Sequence, residues 1–141
     1  MTDRYTAKCH CGEIRLVYTT SLAPSQWSVR ACQCSFCRAH GVRATSDPSG
    51  ALQFEVENPE TLVRYEFGQR TAQFLICRCC GVYVAAAILT PRGRFATLNI
   101  NVLERPPDGL PIAQPITYDT ETPAQRVARR EQRWTPVTGA V

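Results

Sequence analysis

The sequence predicts a mainly β fold with one short helix near its C-terminal end. Short segments in which apolar and polar residues alternate recur up to residue 103, and turns rich in Gly, Pro, Asn and Asp separate them. The segment 105–115 is rich in proline, so it cannot sustain a helix or a central strand. A helical pattern of good length appears only after it, at 123–134.

Several segments have the composition and period of β-strands. At 13–19, Ile14, Leu16 and Tyr18 alternate with more polar neighbours, as in a half-buried strand. Segment 82–89 is the most apolar and has lost this alternation, so we expect it to be buried on both faces at the centre of a sheet. The other segments predicted to be extended are 26–32, 41–46, 52–56, 61–67, 71–76 and 95–103.

The predicted helix begins with favourable residues, because Thr122 can cap it and Pro123 suits its first turn. Its apolar stripe is narrow and consists of Ala124, Val127 and Ala128. We therefore expect a peripheral helix whose basic residues face solvent. These residues are Arg126, Arg129, Arg130 and Arg133.

The length of 141 residues suits one domain with a hydrophobic core. We expect a zinc-binding domain at 1–104 and a C-terminal extension at 105–141 that packs on it. The longest apolar run, 82–89, is far shorter than the roughly 20 residues of a membrane span. The first residues lack the apolar stretch of a secretory signal, so we expect a cytoplasmic protein without a membrane partner.

Cysteine is unusually frequent, with eight residues in the chain. Thiols stay reduced in the cytoplasm, so metal binding explains them better than disulfides do. They form a C-x-C pair, a C-x-C-x-x-C triplet and a C-x-x-C pair, with one further thiol. These are Cys9 and Cys11, then Cys32, Cys34 and Cys37, then Cys77 and Cys80, and finally Cys79.

The two cysteine pairs fit one structural zinc site. Two short pairs far apart in sequence are a common source of four tetrahedral ligands, each pair supplying two. Zinc binding would offset the entropic cost of closing the long loop between them. The predicted ligands are Cys9, Cys11, Cys77 and Cys80; the alternative is a set of unrelated buried thiols.

The triplet of Cys32, Cys34 and Cys37 has three thiols and no obvious fourth ligand. A zinc with three protein ligands keeps a position for water or substrate, whereas one with four is structural. His40 follows Cys37 at a plausible ligand spacing and could close the site, so both outcomes stay open. Cys79 has three interpretations: a buried small apolar residue, a redox-sensitive thiol or a ligand in place of Cys80.

The net charge argues against a general nucleic-acid binder. Sixteen Lys and Arg against twelve Asp and Glu give +4. Seven metal-bound thiolates and two Zn²⁺ ions would bring this to about +1, without the strong basic footprint of such proteins.

The three motifs together resemble the glutathione-dependent formaldehyde-activating enzymes, a family that includes centromere protein V. With their surrounding strands they cover roughly residues 5–103. The residues that carry the resemblance are Cys9-His10-Cys11-Gly12, Cys32-Gln33-Cys34-Ser35-Phe36-Cys37-Arg38 and Cys77-Arg78-Cys79-Cys80-Gly81.

The resemblance implies a β-tent-like fold with two Zn²⁺ sites, a structural one on the four paired cysteines and a catalytic one on the triplet. In the founding enzymes the second zinc takes up glutathione and favours its addition to formaldehyde. The product is S-hydroxymethylglutathione, and the reaction is formally that of a carbon-sulfur lyase. The catalytic ligands implied for this chain are Cys32, Cys34 and Cys37.

Three classes of function follow from the sequence, the third being redox sensing through labile thiolates, for which Cys79 is the distinctive residue. The first is a zinc-dependent carbon-sulfur lyase that acts on a small thiol such as glutathione, with an aldehyde as second substrate. In that case Arg38, Arg43 and Arg78 could receive substrate carboxylates or offset thiolate charge, and Phe36 is the candidate for a pocket wall. The second is a non-catalytic zinc module that binds a protein or nucleic acid through the arginine-rich helix.

Overall fold

The computed structural model of the protein describes residues 2–139 and residue 141. Strands dominate these residues, and the predicted mainly β class with a short C-terminal helix is confirmed. The strands are β1 (Asp3–Lys8), β2 (Ile14–Thr20), β3 (Arg30–Cys32), β4 (Ala44–Thr45), β5 (Ala51–Val56), β6 (Leu62–Tyr65), β7 (Gln73–Cys77), β8 (Tyr83–Thr90), β9 (Gly93–Asn99), β10 (Gln114–Ile116) and β11 (Thr135–Thr138), and the α-helices are α1 (Ser35–His40) and α2 (Pro123–Arg133).

Strand β8 lies at the centre of its part of the sheet, as its lack of alternation predicted. It pairs with β7 on one side and with β9 on the other, both antiparallel. The six residues from position 83 to position 88 are all buried. Apolar side chains on both faces of this strand therefore contribute to the core, which explains why polar positions are missing from its sequence.

Strand β9 is the branch point of the sheet. Along one edge it pairs with β8, whereas its other edge is shared by two short strands placed end to end. There Ala96 pairs with Thr135 of β11, and Asn99 pairs with Ala44 of β4. Strand β4 leads on to β3, which carries the first thiol of the triplet, and β3 pairs in parallel with β10.

The C-terminal segment is part of the sheet, because β11 lies between β5 and β9. The local sequence pattern predicts no strand there. The segment is short and contains Pro136, so local pattern alone does not identify it. Tertiary pairing with two longer strands creates the element.

Two elements near the cysteine motifs were also not predicted. Strand β1 pairs with β2 along its whole length, although only Ala7 of its six residues is buried. Helix α1 replaces most of the expected three-cysteine loop. The side chain of Cys34 caps this helix by accepting a hydrogen bond from the backbone of Cys37 at 3.3 Å.

Helix α2 begins as predicted but packs differently. Thr122 and Gln125 form reciprocal capping hydrogen bonds of 3.2 and 2.9 Å. The expected apolar stripe is wrong, because Ala124 and Ala128 are exposed whereas Arg130 is 8% exposed. The helix therefore turns its arginine side inward. Neither helix in the described part of the chain is long and apolar enough to span a membrane.

Buried side chains form two clusters. The larger cluster contains side chains from several strands, among them Leu52 of β5, Leu75 of β7 and Leu98 of β9. The smaller contains Cys37, Tyr83 and Trp134, so it joins α1, β8 and the end of α2. Cys32 and Cys34 pack against this second cluster, so all three thiols of the triplet are in contact with it.

Candidate metal sites and the cavity beside them

Two hairpin turns with matching geometry bring the paired cysteines together. In the β1–β2 turn the backbone N–H of Cys9 donates to the carbonyl of Ile14 at 3.0 Å, and in the β7–β8 turn Cys77 donates to Val82 at 3.0 Å. Each turn contains a glycine with positive φ, Gly12 at +86° and Gly81 at +78°. These backbone angles favour glycine and let each chain fold tightly around its sulfurs.

The four sulfurs have the spacing of a tetrahedral zinc site. The Sγ atoms of Cys9 and Cys11 are 3.7 Å apart, and those of Cys11 and Cys77 are 3.6 Å apart. All four, including that of Cys80, lie within 4.8 Å of one another. With Zn–S bonds of about 2.3 Å, the edge of a regular tetrahedron is about 3.8 Å. The donor set and its dimensions therefore fit Zn²⁺.

Burial makes the Cys77 thiol a poor anion in the absence of a cation. Cys9 and Cys77 are both almost completely buried, and burial raises the pKa of the Cys77 thiol to about 12. Cys79 lies outside this group and is exposed, so its interpretation as a buried apolar residue is wrong.

The triplet is assembled by β3 and α1. Cys32 ends β3, Cys34 caps α1, and Cys37 lies in the first turn of that helix. Their three Sγ atoms lie within 4.8 Å of one another. The soft donor set and this spacing fit a zinc or another thiolate-binding metal, and Cys32 and Cys34 remain partly exposed.

The three thiols of the triplet differ in the direction in which their pKa values are shifted. Hydrogen bonds with Cys32 and then Cys37 lower the pKa of Cys34 to about 2. The same neighbours raise the pKa of Cys37 far above its usual value, first through Cys32 and then through Cys34. One thiolate is therefore stabilised by two thiol donors, and a cation is needed before all three become anionic.

His40 is not placed as a fourth ligand. It is exposed at the end of α1, and its ring stacks on Phe36 with centroids 4.4 Å apart. Among the described residues, no His, Cys, Asp or Glu joins the three thiols in a common group. The protein donor set at the triplet therefore consists of three sulfurs.

The triplet opens into a cavity of about 150 Å³. Its lining includes Cys32, Cys34 and Cys37 together with residues of helix α2. Apolar walls come from Phe67, Phe74, Tyr83 and Trp134. Burial, followed by the charge of Cys37, raises the pKa of Tyr83 well above its usual value, so its hydroxyl stays protonated.

The aromatic residue expected as a wall does not line this cavity. The Phe36 ring instead packs against Phe74 at 4.8 Å and Tyr83 at 5.1 Å, between centroids. Its expected role as a wall is therefore wrong. Phe36 instead packs against two residues that do line the cavity. Its position inside the motif indicated proximity to the thiols but could not indicate the direction of its ring.

Three arginines of α2 line the cavity, although the sequence analysis placed all four in solvent. Arg126 and Arg129 both bind Glu121, with their Nε atoms 3.3 and 2.7 Å from its carboxylate oxygens. The Arg129 guanidinium also lies over the Tyr118 ring at 3.6 Å. Arg130 is buried, and only Arg133 is exposed as expected.

The arginines expected near the motifs do not line the cavity. Arg43 donates to the Asn101 side chain at 2.8 Å, and Arg78 donates to the carbonyl of Glu60 at 2.8 Å. Arg30, which belongs to none of the three cysteine motifs, lines the cavity. A sequence signal for it existed, because Arg30 and Cys32 are two positions apart on β3 and so share one face of the strand.

Comparisons with known proteins identify the family of the chain and a similar solved structure. The family model described as glutathione-dependent formaldehyde-activating enzyme matches residues 4–118. The crystal structure of a Rhodobacter sphaeroides protein from structural genomics is 30% identical, with a TM-score of 0.60, and the alignment covers 79% of this chain and 99% of that chain. No curated protein matches the chain. Helix α2 begins beyond the residues that the family model matches.

Proposed function

Because the chain belongs to the glutathione-dependent formaldehyde-activating enzyme family, we propose that it joins a small thiol to an aldehyde at Cys32, Cys34 and Cys37. The substrates proposed are glutathione and formaldehyde, and the product is S-hydroxymethylglutathione. The reaction belongs to the carbon-sulfur lyase type.

One observation carries this proposal: the three thiols face a cavity, and no fourth described side chain completes their set. A structural site would be closed by the protein, whereas an incomplete set beside a cavity leaves room for a substrate atom. The four paired cysteines, by contrast, are suited to a purely structural zinc, since they form a complete tetrahedral set.

The residues present fit the metal that the family implies. A Zn²⁺ ion on Cys32, Cys34 and Cys37 would act as a Lewis acid and favour a sulfur donor in the thiolate form. The three thiolates would leave this centre with a charge of about −1, which disfavours hard anionic ligands and suits a soft thiol.

The protein residues around the thiols hold and orient the reactants. Phe67, Phe74 and Tyr83 give the cavity apolar walls that limit the access of water. In the addition, the thiol sulfur forms a bond to the aldehyde carbon while the carbonyl π bond breaks. The carbonyl oxygen then takes a proton to balance the one that the thiol lost, and nothing is oxidised or reduced.

The alternative function, a non-catalytic module that binds a protein or nucleic acid, loses its main support. It depended on an exposed row of arginines on α2. Arg126, Arg129 and Arg130 line the cavity instead, and two of them are paired with Glu121.

We also propose that 105–141 folds as one unit with 1–104. Strand β11 pairs with β5 and β9, and β10 pairs with β3, so both parts of the extension supply strands to the same sheet.

A direct assay tests the proposed reaction. Purified zinc-loaded protein is added to glutathione and formaldehyde, and exchange NMR measures the rate at which S-hydroxymethylglutathione forms. We expect faster exchange than without protein, loss of the effect in Cys37→Ser, and retention in Cys79→Ser, whose thiol is exposed and outside both groups. No acceleration by protein with both sites loaded would contradict this reaction.

A further inference from the structure

Arg130 is a buried cation with an unused hydrogen-bond donor beside the cavity. It is 8% exposed and lines the cavity, yet its Nε atom has no hydrogen-bond partner. Its Nη1 atom donates to the Thr71 hydroxyl at 2.8 Å, and its guanidinium lies over the Trp134 ring at 4.8 Å. Buried donors are nearly always paired in native proteins, so this one indicates a missing acceptor.

Arg30 presents a second guanidinium that no carboxylate neutralises in the described structure. Its terminal nitrogens donate to the hydroxyls of Ser28, Ser46 and Thr97 at 2.9–3.1 Å. These neutral partners hold the side chain in place without cancelling its charge. Because the arginine side chain stays protonated at physiological pH, the positive charge remains beside the cavity.

The charge balance of the cavity favours an anionic ligand. Four guanidinium groups line it, those of Arg30, Arg126, Arg129 and Arg130. The single carboxylate of Glu121 forms ion pairs with both Arg126 and Arg129. Among the described residues that line the cavity, Asp119 contributes one further negative charge. Three thiolates with one Zn²⁺ would add about −1. Positive charge is therefore left over even when the triplet holds its metal.

We propose that Arg130 and Arg30 form a carboxylate subsite that selects thiols carrying a carboxylate. This inference rests on the proposed function, since the thiol end of the same ligand would face Cys32, Cys34 and Cys37. A guanidinium matches a carboxylate with two parallel N–H···O bonds, which are stronger than hydrogen bonds between neutral groups. Glutathione, with a thiol and two carboxylates, has this chemistry.

One of the two arginines of the subsite lies outside the family-matched segment. Arg130 belongs to α2, which begins at Pro123, whereas the family model ends at residue 118. Selection of the anionic end of the substrate is therefore a feature that this chain's own C-terminal helix supplies. A simpler role, in which these arginines only offset thiolate charge, agrees less well with their hydrogen bonds, which go to hydroxyls.

Calorimetric titration of zinc-loaded protein with three small probes tests the subsite. The probes are 3-mercaptopropionate (thiol and carboxylate), 2-mercaptoethanol (thiol alone) and propionate (carboxylate alone). We expect 3-mercaptopropionate to bind at least about tenfold more tightly than 2-mercaptoethanol, as charge-assisted hydrogen bonds predict. Arg130→Met should reduce this preference to less than about threefold and leave the affinity for 2-mercaptoethanol unchanged. Arg133→Met, a control on the exposed face of α2, should retain the preference.

The outcomes separate this inference from the proposed function. Equal affinities for the two thiols in the unaltered protein would overturn the subsite and leave thiol binding intact. If 2-mercaptoethanol does not bind, whereas propionate and 3-mercaptopropionate bind equally well and with a dependence on Arg130, the proposed function fails and the carboxylate subsite is supported. If Arg130→Met loses a metal equivalent without changing the preference, the arginine serves the thiolates and the subsite is wrong. Arg30→Gln, tested in the same way, replaces Arg130→Met if circular dichroism shows that variant to be unfolded.

Discussion

The sulfurs of Cys11 and Cys77 lie 3.6 Å apart although 66 positions separate the two residues in the chain. The β1–β2 turn and the β7–β8 turn meet at this point, so distant parts of the sheet are joined through their cysteines. A cation held there would close a long loop and stabilise both turns at once.

Removal of one sulfur from this group should destabilise the whole fold. A structural zinc contributes about 10–16 kcal/mol of apparent binding free energy in small zinc-finger peptides. We therefore expect Cys77→Ser to lower the free energy of unfolding by at least about 4 kcal/mol, measured by urea denaturation. Cys79→Ser changes an exposed thiol two positions away and should cost less than about 0.5 kcal/mol. Equal stabilities of the two variants would exclude a structural metal here.

Removal of one sulfur from the triplet should have a different effect. Cys37→Ser is expected to reduce the zinc content from two ions per chain to one, measured by mass spectrometry, while the four-cysteine site keeps the domain folded. The melting temperature should fall by less than about 8 °C, since a single buried polar substitution typically costs about 1 kcal/mol. Complete unfolding of this variant would instead assign a structural role to the triplet.

His40 should be dispensable for metal binding. Its ring stacks on Phe36 and lies outside the thiol group, so His40→Ala loses an aromatic contact that contributes about 0.5–1.5 kcal/mol. Zinc content is expected to stay at two ions per chain, and the rate of product formation should change less than about twofold. A loss of one zinc on this substitution would identify the imidazole as a ligand.

The ion pairs of Glu121 should make stability depend on acid. Hydrogen bonding from Arg129 lowers the pKa of Glu121 below its usual value of 4.5. Its contribution is therefore present above about pH 4.5 and is lost as the pH falls through the lower folded-state value. Glu121→Gln should cost about 1 kcal/mol at pH 7 and flatten the decline of stability in acid.

The control for that experiment is Glu57→Gln, which removes the same charge from an exposed side chain. Its stability curve should follow that of the unaltered protein between pH 3 and pH 7. Identical curves for Glu121→Gln and Glu57→Gln would show that the pairs with Arg126 and Arg129 do not stabilise the fold.

The sequence predicts the β class, the central strand β8 and the start of α2 well, because each depends on local pattern. Periodicity identified β2, loss of periodicity identified β8, and the Thr122–Pro123 cap identified the helix. Strand β11 was missed because only its pairing with β5 and β9 distinguishes it from a coil.

The cysteine spacing likewise predicted which thiols come together, since it limits how a chain can surround one metal ion. It could not predict which residues of α2 line the cavity. Arg130 is brought to the triplet by packing of α2 against β8 and β9, and a buried arginine breaks the rule that charged residues face solvent. This exception lies beside the candidate active site, where such departures are expected.

X-ray absorption at the zinc edge, with and without glutathione, tests the central claim most directly. A four-sulfur site and an open three-sulfur site average about 3.5 sulfur ligands per zinc. If the triplet is open to a thiol, saturating glutathione should raise this average to about 4. An average that stays at about 3.5 with an imidazole signal, unchanged by glutathione, would contradict the claim and make the triplet a second structural site.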